Sequence, residues 1–352
     1  MSRAWMMVVV LAVASAGCGS DRGPIGPDRN PGTAPSGPQP SPGPHVVTGS
    51  LVNALDDGAA PPASFTVHGT LVGLSDAGGT FSVGFPAPGM NRTVITATGF
   101  VTRETGVAAP GSGLRLSLIP STFDLASFDQ MFRHQQLTGA GPGLTRWTTP
   151  PGLVVERRVL QFTNVNAAAY EALEETLNGQ ETDEVIADMR AGYDLLTAGR
   201  IGPLASVMTQ EAAAGATVTP RQDGRIVVTR QAGLTKETGF WGYARWSTTA
   251  EGEVTSAVII LDRDFERSAS VFHRSLRMHE LGHALGCQHV STGRLSVMNA
   301  NARTEPNEFD RQSARLAMLR PTGNRTPDLD PAAHTATSAA RTPPPLTWHG
   351  AH

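Results

Sequence analysis

The chain has 352 residues, 38 glycines, 26 prolines and a formal net charge of −3, a length that admits two folded units plus unstructured segments. Its cations are scattered arginines, with Lys236 as the sole lysine, so it carries no electrostatic footprint for nucleic acid. The two cysteines, Cys18 and Cys287, stand in unrelated contexts, which excludes a disulfide framework and leaves the fold to its core.

Residues 1–18 read as an export signal: Arg3 is the positive flank and Met6–Ala16 the apolar run, too short for the roughly 20 residues of a bilayer span. Ala14-Ser15-Ala16 suits cleavage after Ala16, whereas Ser15-Ala16-Gly17-Cys18 resembles a bacterial lipobox in which Cys18 would carry the lipid. Ser15 departs from that pattern, where leucine is usual; the following tether favours lipidation. Either route places the protein outside the cytoplasm, as an outer-membrane or cell-surface lipoprotein or a secreted protein, with a lipid anchor its one membrane contact. Residues 19–45 are dense in Pro and Gly and are expected to form a disordered tether.

From 46 to 119 short apolar runs alternate with turn residues: 47–52, 64–69, 80–85, 93–100 and 114–119, with a turn at Asp76-Ala77-Gly78-Gly79. The period of two predicts a small antiparallel β-sandwich. Gly49, the Ser75–Phe81 turn and strand, and Ala97-Thr98-Gly99-Phe100 resemble the carboxypeptidase-regulatory-like or transthyretin-like modules of bacterial secreted proteins. That resemblance implies a non-catalytic spacer or binding module.

Residues 120–320 change texture. Leu153–Leu160 reads as a strand, Ala167–Asn178 and Thr182–Ala198 as helices, and Arg225–Thr229 and Ala257–Leu261 as further strands, an α/β layering. In the second helix Ile186, Met189, Tyr193 and Leu196 form one apolar stripe, and Gly199 is a stop. Residues 321–352, rich in Pro, Thr and Ala, read as a disordered tail.

The segment from His279 to His289, HELGHALGCQH, carries the chemistry. His279 and His283 stand four apart, so on a helix their rings share a face and can reach one zinc ion. Met278, Leu281 and Leu285 mark an apolar face of the same helix. Gly286 lets the chain leave the helix and swing His289 back as a third ligand. Three imidazoles leave a fourth tetrahedral position for water, the mark of a catalytic site, and Glu280 stands beside them as the base. A bare HExxH arises by chance in roughly 1% of chains with this histidine content, and the added Gly and His make coincidence roughly a few hundred-fold rarer.

At every defined position this segment resembles the HExxHxxGxxH signature of metzincin metallopeptidases. The resemblance implies a catalytic domain with a twisted mixed sheet and an active-site helix, an α+β to α/β class, joined here to the small all-β sandwich. It also implies a methionine turn, matched by Ser296-Val297-Met298-Asn299, with Met298 beneath the metal and not a ligand. Thr145-Arg146-Trp147 resembles a matrixin-like domain opening, Ala257–Asp262 the edge strand that holds extended substrate, and Glu308–Leu319 the helix after the turn. Three features depart from the family. Residue 300 is alanine where some branches use tyrosine, the segment between the first and edge strands is long and helix-rich, and no cysteine-switch motif precedes the domain.

The expected activity is zinc-dependent endopeptidase cleavage of a protein or peptide substrate by a monomer with one catalytic Zn2+. Two other readings remain: a surface adhesion lipoprotein with an inactive peptidase-like domain, and a gluzincin-type enzyme with a distant glutamate ligand, which His289 makes unnecessary. Cys287 reads as a small buried residue or an oxidation-sensitive switch. His273, six residues before the motif, reads as a surface residue rather than a ligand, and His68, His134, His334, His349 and His352 have no ligand spacing. Asp262 with Asp264, or Asp328 with Asp330, could offer carboxylates to Ca2+, but no loop of oxygen ligands supports it.

Overall fold

The computed structural model describes residues 44–137, 141–291, 293–301, 303–332 and 347–350. The expected signal with Cys18, and the tether up to residue 43, lie outside them. Among the described residues no helix is long and apolar enough to cross a membrane.

Seven strands build the N-terminal module: β1 His45–Asn53, β2 Ala63–Val67, β3 Thr70–Leu74, β4 Thr80–Phe85, β5 Gly89–Ala97, β6 Arg103–Ala109 and β7 Gly111–Leu118. They pair as two sheets, in orders β4-β1-β7 and β3-β2-β5-β6. Alternate residues point inward, as period-two patterning requires, and enclose a core of Leu51, Phe65, Phe81, Phe85, Ile95 and Leu118. One pair differs from the expected antiparallel arrangement, because β1 and β7 run parallel. β7 arrives from the opposite sheet after β6, so no hairpin turn links it to β1 and sets its direction.

The remainder contains α1 Leu125–Phe132, β8 Gln135–Leu137, β9 Gly141–Gly143, β10 Gly152–Glu156, β11 Arg158–Gln161, β12 Tyr170–Thr176, α2 Gly179–Leu196, β13 Ser206–Gln210 and β14 Thr217–Val218. After these come β15 Arg225–Ala232, α3 Leu234–Thr238, β16 Gly242–Thr248, β17 Val254–Asp262, α4 Arg263–Glu266, α5 His273–Ala284, α6 Glu308–Met318 and β18 Thr347–Gly350. One mixed sheet runs β14-β12-β11-β15-β17-β16-β18, with β10 between β13 and β15. β10, β11, β13, β15 and β17 are mutually parallel, and β16 is antiparallel to β17.

α2, α5 and α6 cover one sheet face in the main core. The other face carries a second cluster with Leu160, Tyr170, Tyr243 and Ile260. α2 begins with a capping box between Asn178 and Glu181, which satisfies two otherwise unpaired backbone N–H groups. It buries Met189, Tyr193 and Leu196 of the expected stripe.

Four sequence expectations change. Residues 167–178 do not form a helix, since 170–176 is strand β12. The helix-favouring Glu, Ala and Leu lose to an alternation in which Tyr170 and Ala172 enter the second cluster and Glu171 faces solvent. The single strand over 153–160 is two, β10 and β11, each parallel to a different part of β15. They break at Arg157, where the buried Glu156 carboxylate accepts from the N–H groups of Arg158 and Ala212.

The segment 257–262 is not an edge: β17 lies between β15 and β16, which fits its unbroken apolar run, buried on both faces. Finally, the tail expected to be disordered from 321 is packed as far as Ala332. Asn324, Asp328 and Asp330 are buried there, and β18 joins the sheet. Residues 333–346, 351 and 352 lie outside the described residues.

This packed segment also fastens the β module. Arg103 donates to Asp330 at 2.8 Å, and the buried Arg320 donates to both Asp328 oxygens and to the Ser117 carbonyl. Across the same junction Asp57 accepts from Arg200 and pairs with Arg315. Ala54 and Ile119 lie in the main core, so the module is docked on the larger part and does not hang free of it.

Candidate metal centre

α5 places His279, Glu280 and His283 in the interior, all nearly inaccessible. The three residues after the helix redirect the chain. The Gly286 N–H donates to the His283 carbonyl and the Cys287 N–H to the Gly282 carbonyl, a six-residue closure that ends helices through a left-handed residue. That residue is Gly286, at φ +99, and a side chain there would also press on the Thr145 carbonyl at 3.1 Å.

The exposed carbonyls of the helix end find donors in the segment read as a domain opening. Thr145 Oγ1 donates to the Gly286 carbonyl at 3.1 Å, and Trp147 Nε1 to the Ala284 carbonyl at 2.9 Å. Thr145 and Trp147 thus clasp the end of the helix that carries His279 and His283.

His289 returns so that three Nε2 atoms converge, with separations of 3.1 Å between His279 and His283 and 3.2 Å from each to His289. Tetrahedral nitrogens about 2.05 Å from a zinc ion stand about 3.3 Å apart, so this triangle fits that ion with almost no adjustment. Among the described residues this is the one group of three or more His, Cys, Asp or Glu side chains placed to share a cation.

The opposite ring nitrogens set the tautomers. His279 Nδ1–H donates to the Val297 carbonyl at 2.7 Å, and His283 Nδ1–H to the Cys287 carbonyl at 2.8 Å. A carbonyl only accepts, so the proton sits on Nδ1 and the Nε2 lone pair faces the centre. Burial lowers the pKa of His279 to about 4, against the bond to Val297, and pushes His283 well below its ordinary value. Both are neutral at physiological pH, as ligation demands.

Glu280 behaves oppositely. Desolvation raises its carboxyl to about 8, and Oε2 is buried without a hydrogen-bond partner among the described residues. Its neighbour is the start of β16, where a Cβ on Gly242 would fall 2.7 Å from Glu280 Oε1. An unpartnered buried carboxylate oxygen beside a metal-type cradle is suited to hold a water proton.

Met298 is fully buried and packs on the helix between the first two histidines: a Cβ on Gly282 would lie 2.3 Å from its sulfur. Glycine at 282 therefore gives the Met298 side chain room to lie against the helix. Asp310 of α6 holds the turn, accepting from the Val297 N–H at 3.0 Å and from the Ser296 hydroxyl. The Val290 N–H, next to His289, donates to the Met298 carbonyl at 3.0 Å.

Several contributors escaped the sequence reading. Trp246 of β16 lies parallel to the His283 ring at 6.2 Å, and His134 meets Trp246 edge-on at 6.4 Å. His134 also lowers the proton affinity of His283, although its position, far back in the chain, offered no spacing signal. Arg277 is buried in the first half of α5, bonded to Glu266 at 2.7 Å and Asp188 at 2.8 Å, while Arg230 joins the same Glu266. An arginine four residues before Leu281 on an apolar face was a legible anomaly, but its partners were not.

The other candidates fall elsewhere. Cys287 is fully buried, and burial pushes its thiol pKa up, which makes it an unreactive packing residue. His273 opens α5 and bonds the Phe265 carbonyl at 2.9 Å. Asp262 caps α4, Asp264 pairs with Arg263, and Asp328 and Asp330 are taken by arginines, so neither pair forms an open oxygen site for calcium. Compared with known proteins, the chain matches no family model and no curated protein.

Proposed function

We propose that the chain is an extracytoplasmic zinc-dependent endopeptidase of metzincin type, with His279, His283 and His289 as ligands and Glu280 as general base. The observation that carries this reading is the convergence of three Nε2 atoms within 3.2 Å, those of His279 and His283 in rings of fixed tautomer, beside a buried carboxylate oxygen that has no hydrogen-bond partner among the described residues. Three histidines leave room for a reacting group, where a structural site would close with a fourth ligand.

A zinc ion held there supplies Lewis acidity, polarising a carbonyl oxygen and acidifying water. Glu280 takes the water's proton at Oε2 and returns it to the departing amine, base first and acid second. The Val297 and Cys287 carbonyls hold the His279 and His283 rings in one tautomer throughout. Their neutrality follows from burial, and a cation beside Glu280 would favour its ionised form.

An extended peptide would add to the sheet along β16, the strand that passes Glu280 at Gly242 and His283 at Trp246. Main-chain pairing of that kind engages the middle of a chain and not its end, which suits internal cleavage. The signal reading at 1–18 places this activity outside the cytoplasm.

The test is hydrolysis of casein by the purified chain. Cleavage should cease on chelation and return with about one equivalent of zinc, and a chain that binds zinc stoichiometrically yet cleaves no peptide would favour the adhesion alternative.

A further inference from the structure

β16 has two ladders. One is its antiparallel pairing with β17, and the other is antiparallel pairing with β18, in register Arg245 to Gly350, Trp246 to His349, Ser247 to Trp348 and Thr248 to Thr347. Without β18, β16 would be the margin of the sheet. That margin is the one beside the ligand cluster, since Gly242 abuts Glu280 and Trp246 stacks on His283. β18 runs from the Thr248 end toward the Arg245 end, hence toward Glu280.

We infer that residues Thr347–Gly350 are a built-in occupant of the peptide-docking edge, so that the chain restrains its own hydrolytic site by strand addition. The inference rests on the proposed peptidase reading, but the docking itself does not. A free edge strand presents a row of unused N–H and C=O groups, which a second extended segment satisfies whatever its side chains. The groups of β16 that pair with β18 are the groups an extended substrate needs. Both cannot bind at once.

Pro343-Pro344-Pro345 precede the strand. Proline has no N–H to give to a ladder, so these three residues supply no donors for strand pairing. A segment joined through the same chain acts at an effective concentration in the mM range. A short strand of modest intrinsic affinity is then held in place most of the time, while a substrate that engages more of β16 can displace it. The observed rate scales with the free fraction of the edge.

The experiment uses the full chain and the double substitution Trp348→Pro and His349→Pro, which removes two adjacent N–H donors and leaves the ligand cluster intact. Hydrogen–deuterium exchange over residues 242–248 reports the docking, and kcat/KM on an internally quenched peptide reports the restraint. Exchange should accelerate in the variant, and kcat/KM should rise on the order of tenfold. A synthetic peptide of residues 343–352 should then inhibit the variant competitively.

Unchanged exchange over 242–248 would overturn the docking. Faster exchange with unchanged kcat/KM in an active enzyme would overturn the restraint. Absence of hydrolysis in both forms, with faster exchange in the variant, would overturn the peptidase reading and the restraint with it, while still supporting the docked strand.

Discussion

Replacing Glu280 with glutamine separates the chemistry of the site from its architecture. The side chain keeps its shape but can neither ionise nor accept a proton. In the metal-free protein the Glu280 carboxyl sits at about 8 against an ordinary 4.5, because of burial. Below pH 4.5 folded and unfolded chains both carry the proton. Between 4.5 and 8 the unfolded chain releases it while the folded chain keeps it, so stability falls as pH rises.

The accumulated penalty approaches about 5 kcal/mol above pH 8, and the glutamine variant escapes it. Urea unfolding of chelated protein should therefore show Glu280→Gln level with the parent near pH 4 and more stable by up to about 5 kcal/mol at pH 8.5. Zinc should narrow that difference, since a cation beside Glu280 favours the ionised form. With zinc restored, the variant should bind one equivalent and lose about 10²- to 10⁴-fold in turnover. A stability difference that does not vary with pH would refute the buried, unpartnered carboxylate, and undiminished turnover would refute its role as base.

Other substitutions probe the remaining parts. His283→Ala removes one of the three proposed ligands, so zinc affinity measured by competition with a chromophoric chelator should fall by more than the roughly 10- to 100-fold of a lost outer partner; retained tight binding would break the triad assignment. Gly282→Ala drives a methyl toward the Met298 sulfur and should cost about 1–3 kcal/mol in thermal unfolding. Combined with Met298→Ala its cost should be less than additive, and strict additivity would deny the contact. In the Glu280→Gln background, which removes the opposing carboxyl titration, the metal-free chain should lose about 3 kcal/mol through His279 as pH falls from 6.5 to 4, because the unfolded ring takes a proton that the folded ring refuses until about pH 4. His279→Gln should flatten that limb of the curve, and a limb as steep as the parent's would mean the ring titrates freely.

Local order along the chain was legible wherever one short pattern sufficed. The helical spacing of His279 and His283, the break at Gly286 and the return of His289 are neighbours in sequence, so their meeting depends on one helix end and little else. The stripe of Met189, Tyr193 and Leu196 was equally local. Residues 170–176 misled because Glu, Ala and Leu favour a helix in isolation, whereas the alternation of Tyr170 and Ala172 pays off only against a sheet face that already exists. A strand over 257–261 was visible within β17, but its neighbours in the sheet were not, since pairing order is a non-local property.

By itself, then, the sequence determined the helix that carries His279 and His283, the return of His289 toward them and the carboxylate beside them, because each is written within a few residues. Tertiary structure alone decided what holds and surrounds them. It brought Thr145 and Trp147 to the end of α5, Asp310 to the turn carrying Met298, and Asp330 and Arg320 to the β module. It also put β16, and not β17, beside Glu280, and seated Thr347–Gly350 upon it. Those contacts join residues tens to hundreds of positions apart, and only the shared burial of their polar groups, each needing a partner away from water, selects them.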